Sequence, residues 1–384
     1  MKKIICLCLI MATFTVGVFS KEMKDISATE VTKLMGTGWN LGNTLDAVAG
    51  RGLGSETSWG QPKTTKQMID NLSSSGMKTI RIPVSWSNHI IDNAGTIDPA
   101  WMARVKEIVD WAIADDMYVI LNCHHDNAET PNGLTANKGY YPNSKGLKGS
   151  VKFVKRTWTQ IAKTFNNDYD EHLIFETLNE PRLRNTGVEW TYSSNDSDCK
   201  DSMNVLNKLN QTAVDAIRAS GGNNAKRFIM CPSYAAAPEA ALNSDFKMPA
   251  DKAKEKLILS VHMYTPYSFA GQAPGARTYT PAIQNSFAAM FKKLNTNFVQ
   301  NGIGVVIGEY GAVNKNNLED RVKWFTNYIK YSQQNNLPAV LWDNGAWRVP
   351  NGTTEYSEKF GYYNRLKGDW YFPEILEAIM SEVK

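Results

Sequence analysis

The chain has 384 residues, in which 42 lysines and arginines against 38 acidic residues leave a formal net charge of +4. So small a charge argues against nucleic acid or a polyanionic substrate as the main partner. A hydrophobic content of 42% is enough to build a substantial core.

Residues 1–20 resemble a secretory signal peptide. The basic pair Lys2-Lys3 precedes an apolar stretch that runs to Phe19, and this stretch is short for a membrane span. We therefore predict that the mature chain, residues 21–384, is secreted or periplasmic and does not contact a membrane. A lipoprotein anchor at Cys8 is the alternative, although this cysteine comes before any complete apolar core.

Short apolar runs alternate with stretches of helical periodicity along the mature chain. The runs are rich in Val, Ile, Leu or aromatic residues, as expected of parallel strands that are buried on both faces. They are Gly38 to Asn43, Thr79 to Val84, Tyr118 to His124, Leu173 to Glu180, Phe228 to Ser233, Leu257 to Tyr264, Val305 to Glu309 and Ala339 to Asp343. The helical stretches are Thr65 to Leu72, Asp98 to Ala112, Lys152 to Phe165, Met203 to Ile217, Pro281 to Phe298, Leu318 to Tyr331 and Pro373 to Val383.

This alternation predicts an α/β fold, a (β/α)8 TIM barrel in a single domain. A doubly wound open sheet is the alternative, but the sequence has no glycine-rich phosphate fingerprint to support it. In a barrel, the catalytic groups lie where the strands end. The chemically distinctive side chains in the later half or at the end of predicted strands are Arg81, His124, Asn179, Glu180, His262, Tyr264, Glu309 and Trp342.

Two acidic residues, Glu180 and Glu309, each end an apolar run. Burying a carboxylate is unfavourable, and hydrolysis of a glycosidic bond is a reaction that uses one protonated and one ionised carboxyl. Pro181 biases Glu180 towards an extended conformation at the strand end. We expect the ionised Glu309 to raise the pKa of Glu180. Arg81 and Tyr264 are the candidates that keep Glu309 ionised, and buried ion pairs without function are the alternative.

Other polar residues near strand ends are candidates for sugar contacts. The amide of Asn179 suits a hydrogen bond to the hydroxyl next to the reacting carbon, provided that the strand loses its regularity there. His262 and Tyr264 are two residues apart and face the same way on a strand. The run His124-His125-Asp126 raises the alternative of a zinc site. Side chains of adjacent strand residues point to opposite faces, and the H-x-H spacing is absent. We therefore favour sugar contacts for His124 and His125. We predict no metal and no cofactor.

Long segments follow several strands and are expected to form loops around an open cleft: 44–63, 125–150, 182–202, 265–281 and 344–369. Sugar rings pack on aromatic faces, and these loops carry Trp59, Tyr140, Tyr141, Trp190, Tyr267, Phe269 and Trp347. Trp342 differs from them because it ends a core strand, where its side chain would form the floor of the cleft. Local packing is the alternative for each loop aromatic and for the polar residues above.

Seven motifs occur in order along the chain. They are Gly38 to Asp46, Ile80 to Trp86, Asn122 to His125, Leu178 to Pro181, Val261 to Tyr264, Gly308 to Gly311 and Leu341 to Asn344. Together they resemble glycoside hydrolase family 5, the large cellulase family of retaining (β/α)8 hydrolases, over essentially the whole mature chain. The resemblance implies that Glu180 is the proton donor and later the general base, and that Glu309 is the nucleophile. The family's remaining core positions match Arg81, His124, Asn179, His262, Tyr264 and Trp342.

Asn43 and Asp46, with Ser55 to Gly60, look like endoglucanase subfamily 4, in which such residues line the far side of the cleft. The resemblance implies two carboxyl groups about 5–5.5 Å apart. It implies a secreted, retaining endo-β-1,4-glucanase that takes a β-1,4-linked polysaccharide, needs no metal or cofactor, binds no nucleic acid and acts as a monomer. Xyloglucan, mixed-linkage glucan, mannan and xylan are alternative substrates. A non-catalytic carbohydrate-binding protein and a metal-dependent barrel hydrolase are alternatives from other classes.

Overall fold

A computed structural model describes residues 21–134 and 139–383, and the predicted signal peptide, residues 1–20, lies outside them. Within these two ranges, eight parallel strands pair in chain order and the first closes onto the eighth. The strands are β1 (Thr37–Asn40), β2 (Thr79–Ile82), β3 (Tyr118–Asn122), β4 (Leu173–Glu176), β5 (Ile229–Pro232), β6 (Leu257–His262), β7 (Gly304–Tyr310) and β8 (Ala339–Leu341). The predicted (β/α)8 barrel is therefore confirmed, and the open sheet is wrong.

The α-helices are α1 (Ala28–Leu34), α2 (Lys66–Ser74), α3 (Pro99–Ala114), α4 (Leu147–Thr164), α5 (Ser197–Ala219), α6 (Pro238–Ala241), α7 (Tyr267–Ala270), α8 (Pro281–Asn297), α9 (Leu318–Gln334) and α10 (Pro373–Met380). Short 3-10 helices lie at Gly52–Thr57, Ser87–His89, Pro131–Gly133, Gly222–Ala225, Tyr234–Ala236 and Val299–Asn301. After β8, β9 (Tyr363–Asn364) pairs with β10 (Asp369–Trp370) in an antiparallel ribbon. None of the helices in the two described ranges combines the length and the apolar character that crossing a membrane requires.

The predicted helices are found with shifts of a few residues at their ends, and α1 is an addition. Its start is encoded by Ser27, whose hydroxyl accepts from the backbone N–H of Glu30 while the Glu30 carboxylate accepts from the backbone N–H of Ser27. Several predicted strands are too long. The fourth is predicted to run to Glu180, whereas β4 ends at Glu176. Leu178 is fully buried beyond that end, so the apolar sequence continues after strand pairing has stopped.

The barrel interior has an apolar lower half and a polar upper half. The apolar cluster joins strand residues to the segment and helix that precede β1: Met23, Ala28, Val31, Met35, Tyr118, Ile120, Ile174, Phe228, Met230, Ile258, Val306 and Val340. α1 packs so closely on β7 that a Cβ at Gly304 would lie 2.8 Å from the carbonyl oxygen of Ala28. The upper half holds buried polar side chains, namely Asn40, Arg81, Asn122, Glu176 and Ser260. Polar groups are thus concentrated towards the carboxyl ends of the strands, where catalytic sites of barrels lie.

Candidate active site

Glu309 enters the barrel because β7 is irregular. Val306 belongs to the inward-facing apolar cluster, so strict alternation along the strand would point Glu309 outwards. The pairing of β7 with β6 shifts at His262, and three steps along β7 from Ile307 to Tyr310 match two steps along β8. Such a bulge inserts one residue and re-aims the side chain that follows it. The irregularity therefore turns the Glu309 carboxylate towards the polar half of the interior.

The Glu309 carboxylate is 5% exposed and is held at both oxygens. Arg81 Nη1 donates to Oε1 over 2.7 Å, and the Tyr264 hydroxyl donates to Oε2 over 3.0 Å. His262 Nδ1 lies 3.4 Å from Oε2. The structure thus places both predicted partners, Arg81 and Tyr264, against Glu309. Burial raises the pKa of Glu309 above its ordinary value, although the charges of His262 and Arg81 oppose this shift.

Glu180 lies in the loop beyond β4 and not at the strand end, which corrects the predicted position. Its Oε1 is 2.8 Å from His262 Nδ1, and its Oε2 is 3.6 Å from Arg182 Nη1. One carboxylate oxygen of Glu180, one of Glu309 and one ring nitrogen of His262 all lie within 4.8 Å of one another. The two carboxyl groups and the imidazole therefore form a single cluster at the mouth of the barrel.

The predicted raised pKa of Glu180 is wrong for this arrangement. Burial by itself would raise it, but the hydrogen bond from His262 and the positive charges of His262, Arg182 and Arg81 lower the pKa of Glu180 to about 2. Burial by itself would lower the pKa of His262. The charges of Glu309 and Glu180 outweigh burial, so this pKa is raised above its ordinary value. The raised pKa of His262 and the lowered pKa of Glu180 both favour a proton on His262 over one on Glu180, across a contact of 2.8 Å.

Arg81 is fully buried and connects several of the predicted site residues. Besides Glu309, it donates from Nη2 to Asn179 Oδ1 over 2.6 Å, from Nη1 to Asn40 Oδ1 over 3.0 Å and from Nε to Glu176 Oε2 over 2.7 Å. Burial would lower the pKa of Arg81, but the charges of Glu176 and Glu309 raise it above its ordinary value. Since the amide oxygen of Asn179 accepts from Arg81, its amide nitrogen is the group available as a donor. The required loss of strand regularity at Asn179 is observed.

His124 and Trp342 stack with ring centroids 5.7 Å apart and an interplanar angle of 2°. Trp342 follows β8 directly, at the carboxyl ends of the strands, and its role as the floor of the cleft stays a prediction. Asn122 Nδ2 lies 3.1 Å from His124 Nδ1. Burial, with the nearby positive charges, holds the pKa of His124 well below its ordinary value. This low pKa favours a neutral imidazole, which carries its proton on Nε2 because Asn122 donates to Nδ1.

Asn43 and Asp46 lie in the turn that follows β1. Asn43 adopts a left-handed backbone with φ of 56°, and the Asp46 carboxylate accepts from the backbone N–H groups of Thr44 and Asn43 over 2.7 and 3.1 Å. Asp46 is fully buried, which raises its pKa to about 7, and it lies 3.7 Å from His125 Nε2. The Asp46 carboxylate therefore shapes this turn. The side chain of His125 is partly exposed, and its ring lies beside that of Trp59.

Two groups of side chains have the composition of a metal site: Asp46 with His124 and His125, and Glu180 with His262 and Glu309. In the first group, the amide of Asn122 fixes the proton of His124 on Nε2, and the carboxylate of Asp46 already accepts from two backbone N–H groups. In the second, the carboxylate oxygens face donors on Arg81, Tyr264 and His262. This donor pattern fits hydroxyl groups better than a cation, which needs unprotonated nitrogens and free oxygens.

The seven loop aromatics differ in exposure, and Trp59 is intermediate, with its ring centroid 5.4 Å from that of His125. Trp190, Tyr267 and Trp347 are exposed and remain candidates for contact with sugar rings. Tyr140, Tyr141 and Phe269 are buried, which corrects their prediction as cleft residues. Aromatic composition identified these loops, but it does not separate a rim residue from one that packs beneath the loop.

Sequence reasoning missed the buried polar layer beneath the site. Its members include Asn40, Asn122, Glu176, Ser260 and Asp343. Asp343 accepts from the indole N–H of Trp39 and from the backbone N–H groups of Tyr362 and Tyr363, and so anchors the chain next to Trp342. A charged residue within an apolar run, such as Glu176, was the available signal, because an unpaired carboxylate is not tolerated in a core.

The profile described as cellulase, glycosyl hydrolase family 5, matches residues 46–347. The chain belongs to glycoside hydrolase family 5. Endoglucanase B of Ruminococcus albus is 44% identical over 358 residues, which cover 93% of this chain and 81% of that protein. A family 5 lichenase from Caldicellulosiruptor sp. F32, a mutant in complex with cellotetraose, matches with a TM-score of 0.87 and 41% identity, covering 96% of this chain and 98% of that one.

A further family 5 structure carries a subfamily assignment. It is a GH5-4 broad-specificity endoglucanase from Ruminococcus champanellensis with bound cellotriose, with a TM-score of 0.84 and 39% identity over 94% of this chain and 100% of that one. These similarities confirm the resemblance drawn from the ordered motifs. The protein is therefore a glycoside hydrolase of the cellulase type, and both Glu180 and Glu309 lie inside the region that matches family 5.

Proposed function

We propose that this family 5 protein is a retaining endo-β-1,4-glucanase in which Glu180 is the acid and base and Glu309 is the nucleophile. The observation that carries the proposal is the distance between them: two of their carboxylate oxygens lie within 4.8 Å of each other. Retaining glycosidases hold their carboxyl groups about 5–5.5 Å apart, whereas inverting enzymes leave roughly 6.5–9.5 Å for a water molecule. The short separation supports direct attack by a carboxylate.

In the first step, Glu309 attacks the anomeric carbon while the bond to the leaving oxygen breaks and Glu180 donates a proton to that oxygen. In the second step, Glu180 accepts a proton from water, whose oxygen attacks the anomeric carbon and releases Glu309. Arg81 and Tyr264 hold the Glu309 carboxylate in position before the attack. Asn179 donates to the hydroxyl next to the reacting carbon.

The acid function of Glu180 depends on His262. We place the proton on His262 at rest, because its Nδ1 is 2.8 Å from Glu180 Oε1 and its pKa is raised while that of Glu180 is lowered. A polysaccharide in the cleft excludes water, and a low dielectric favours a neutral carboxylic acid and a neutral imidazole over two charges. We therefore place the transfer of this proton to Glu180 after substrate binding, so that the acid is formed where the leaving oxygen lies.

The stereochemistry of the first product tests this proposal. We expect proton NMR of a fresh digest to show the β-anomer first, with the α-anomer appearing later through mutarotation, because two displacements at one carbon restore its configuration. Glycans digested to completion and left to equilibrate serve as the control for the anomer ratio. Initial release of the α-anomer would show an inverting reaction and would remove Glu309 as nucleophile.

β-1,4-Glucan and mixed-linkage glucan are the proposed substrates, because the related structures hold cellotetraose and cellotriose. Xyloglucan, mannan and xylan are the other candidates. We expect release of reducing ends from carboxymethyl cellulose and mixed-linkage glucan to exceed release from xylan and glucomannan at least about tenfold. A chelator should leave the rates unchanged. No release of reducing ends from any β-1,4-glycan would contradict the proposed function. Loss of activity with chelator would favour a metal-dependent hydrolase.

The proposal also covers the location of the enzyme, its oligomeric state and the class of its partner. The basic and apolar residues 1–20 support export of a mature chain of residues 21–384, to the periplasm or outside the cell. The site is assembled from one chain, which supports a monomer as the active form. Its near-neutral charge supports a polysaccharide partner over nucleic acid.

A further inference from the structure

Glu176 is a fully buried carboxylate beneath the site, and the proposed hydrolysis assigns no step to it. It lies on β4, beside Asn122 of β3. Arg81 Nε and Asn122 Nδ2 donate to its Oε2 over 2.7 and 2.9 Å, and the Ser260 hydroxyl donates to its Oε1. All of these partners are donors, as an acceptor-only carboxylate requires.

Glu176 and Glu309 share one guanidinium group. Arg81 donates from Nε to Glu176 and from Nη1 to Glu309, in both cases over 2.7 Å. The donors of a guanidinium are fixed in a rigid plane, so holding Nε determines where Nη1 points. The β7 backbone also passes close to this pair, since a Cβ at Gly308 would lie 3.5 Å from Glu176 Oε1 and 3.2 Å from His262 Nε2. The position of the Glu309 carboxylate is thus tied to that of Glu176.

We propose that Glu176 is a positioning residue of the hydrolysis: it orients the Arg81 guanidinium towards Glu309 and limits the positive charge that Arg81 presents to the nucleophile. The inference rests on the proposed function, because it takes Glu309 as the nucleophile. A purely structural ion pair is the competing explanation. Such a pair would affect stability, whereas a positioning role also affects the pH at which Glu309 becomes ionised and the rate of its attack.

The ionisation of Glu309 depends on several neighbours. The charged or titratable groups that face it are Arg81 on β2, Glu180 beyond β4, and His262 and Tyr264 at and after the end of β6. The substitution Glu176→Gln keeps the shape of the side chain and leaves these groups in place, but it removes one negative charge from Arg81. Arg81 then acts more strongly on Glu309, so the pKa of Glu309 falls.

The sign of the expected effect follows from this change. Attack requires an ionised Glu309, so kcat/KM falls at low pH along an acid limb that reports its pKa. In Glu176→Gln this limb should move to lower pH by about 0.5–1 unit. The plateau of kcat/KM should fall by no more than about threefold, because a carboxylate that is about 0.5–1 unit less basic is only a slightly weaker nucleophile. Both effects are measured on a soluble β-glucan with the full mature chain.

Ser260→Ala is the matched control. It removes a hydrogen bond from the other oxygen of Glu176 but leaves the negative charge in place, so the acid limb should stay within about 0.2 unit of the wild-type position. Thermal unfolding of each variant is measured in parallel. If Glu176→Gln lowers the unfolding temperature while the acid limb stays where it is, Glu176 is only structural and the inference is wrong.

A second substitution, Glu176→Asp, tests the positioning role even if Glu176→Gln does not fold. Glu176→Asp keeps the charge but shortens the side chain, which draws the Arg81 guanidinium away from Glu309. We expect the acid limb to move to slightly higher pH, because a more distant Arg81 lowers the pKa of Glu309 less. We also expect a kcat about tenfold lower with little change in KM, because positioning within about 0.5 Å matters for attack. A wild-type kcat for Glu176→Asp would overturn the positioning role.

A mechanism-based label separates this inference from the proposed function. A 2-deoxy-2-fluoro cellobioside with a good leaving group accumulates the covalent glycosyl-enzyme, and peptide mass spectrometry locates the labelled residue. Label on Glu309 in the wild type, together with a shifted acid limb of kcat/KM in Glu176→Gln, supports both the proposed function and the role of Glu176. Wild-type label elsewhere contradicts the proposed function itself. Label on Glu309 with no shift and no fall in rate overturns only the role of Glu176.

Discussion

Replacement of Glu309 by alanine should abolish turnover of β-glucans, lowering kcat by roughly 10⁵-fold or more. Glu309 is the only carboxylate of the described site that Arg81 and Tyr264 hold in place for attack, and without it no glycosyl-enzyme forms. Binding of cellotetraose, measured by calorimetry, should persist, because the stacked rings of Trp342 and His124, the proposed sugar contacts, are untouched. Retained binding with lost turnover would distinguish a catalytic role from a general loss of structure.

Glu309→Gln is the companion variant. It keeps the side-chain volume and an acceptor for Arg81, so its unfolding temperature should lie closer to the wild type than that of Glu309→Ala. Its loss of activity should be as large, because an amide is not a nucleophile of comparable strength. Azide should restore activity of Glu309→Ala on an activated aryl glycoside and give an α-glycosyl azide. More than about 1% residual turnover of glucan in both variants would show that another group attacks.

Replacement of Glu180 by alanine should separate two classes of substrate. Cleavage of an internal bond of a polysaccharide needs protonation of a poor leaving group, and kcat/KM should fall roughly 10³–10⁴-fold. An aryl cellobioside with a nitrophenolate leaving group needs no proton, so its kcat/KM should stay within about tenfold of the wild type. The value of kcat/KM is the right measure, since loss of the base also slows the second step and lowers kcat and KM together.

Glu189→Gln is a matched control for this experiment. Glu189 contacts Arg182 over 3.1 Å, so the substitution removes a nearby carboxylate without touching the contact between Glu180 and His262. Any effect of Glu189→Gln should be the same for both classes of substrate. Equal losses for both classes in Glu180→Ala would show that the assignment of acid and nucleophile is reversed or wrong.

Much of the fold follows from local patterns in the sequence. Runs such as Tyr118 to Leu121 are apolar on both sides of the strand, as in a parallel sheet covered by helices. The start of α3 is encoded by Asp98, whose carboxylate accepts from the N–H of Ala100 ahead of an amphipathic stretch. Strand ends were less predictable. Leu178 is fully buried beyond the end of β4 at Glu176, so apolar content and burial do not show where strand pairing stops.

The membership of the site was also predictable, but its electrostatics were not. The ordered motifs contain Glu180, Glu309 and their neighbours, and the structure brings them together. The direction of the pKa shift at Glu180 was predicted wrongly, because it is decided by His262, which is 82 residues away in sequence and 2.8 Å away in space. A motif shows which groups are present, whereas a pKa depends on the distance and charge of each neighbour.

The sequence by itself determined the barrel, the family and the residue types at the mouth of the cleft, because periodicity, caps and motif order are local properties of the chain. Only the tertiary structure decided that an irregularity in β7 turns Glu309 inwards, and that Glu176 shares Arg81 with it. Both depend on the register between neighbouring strands. A shift of one residue there exchanges the two faces of a strand, and the cost of burying charge then selects which side chains meet.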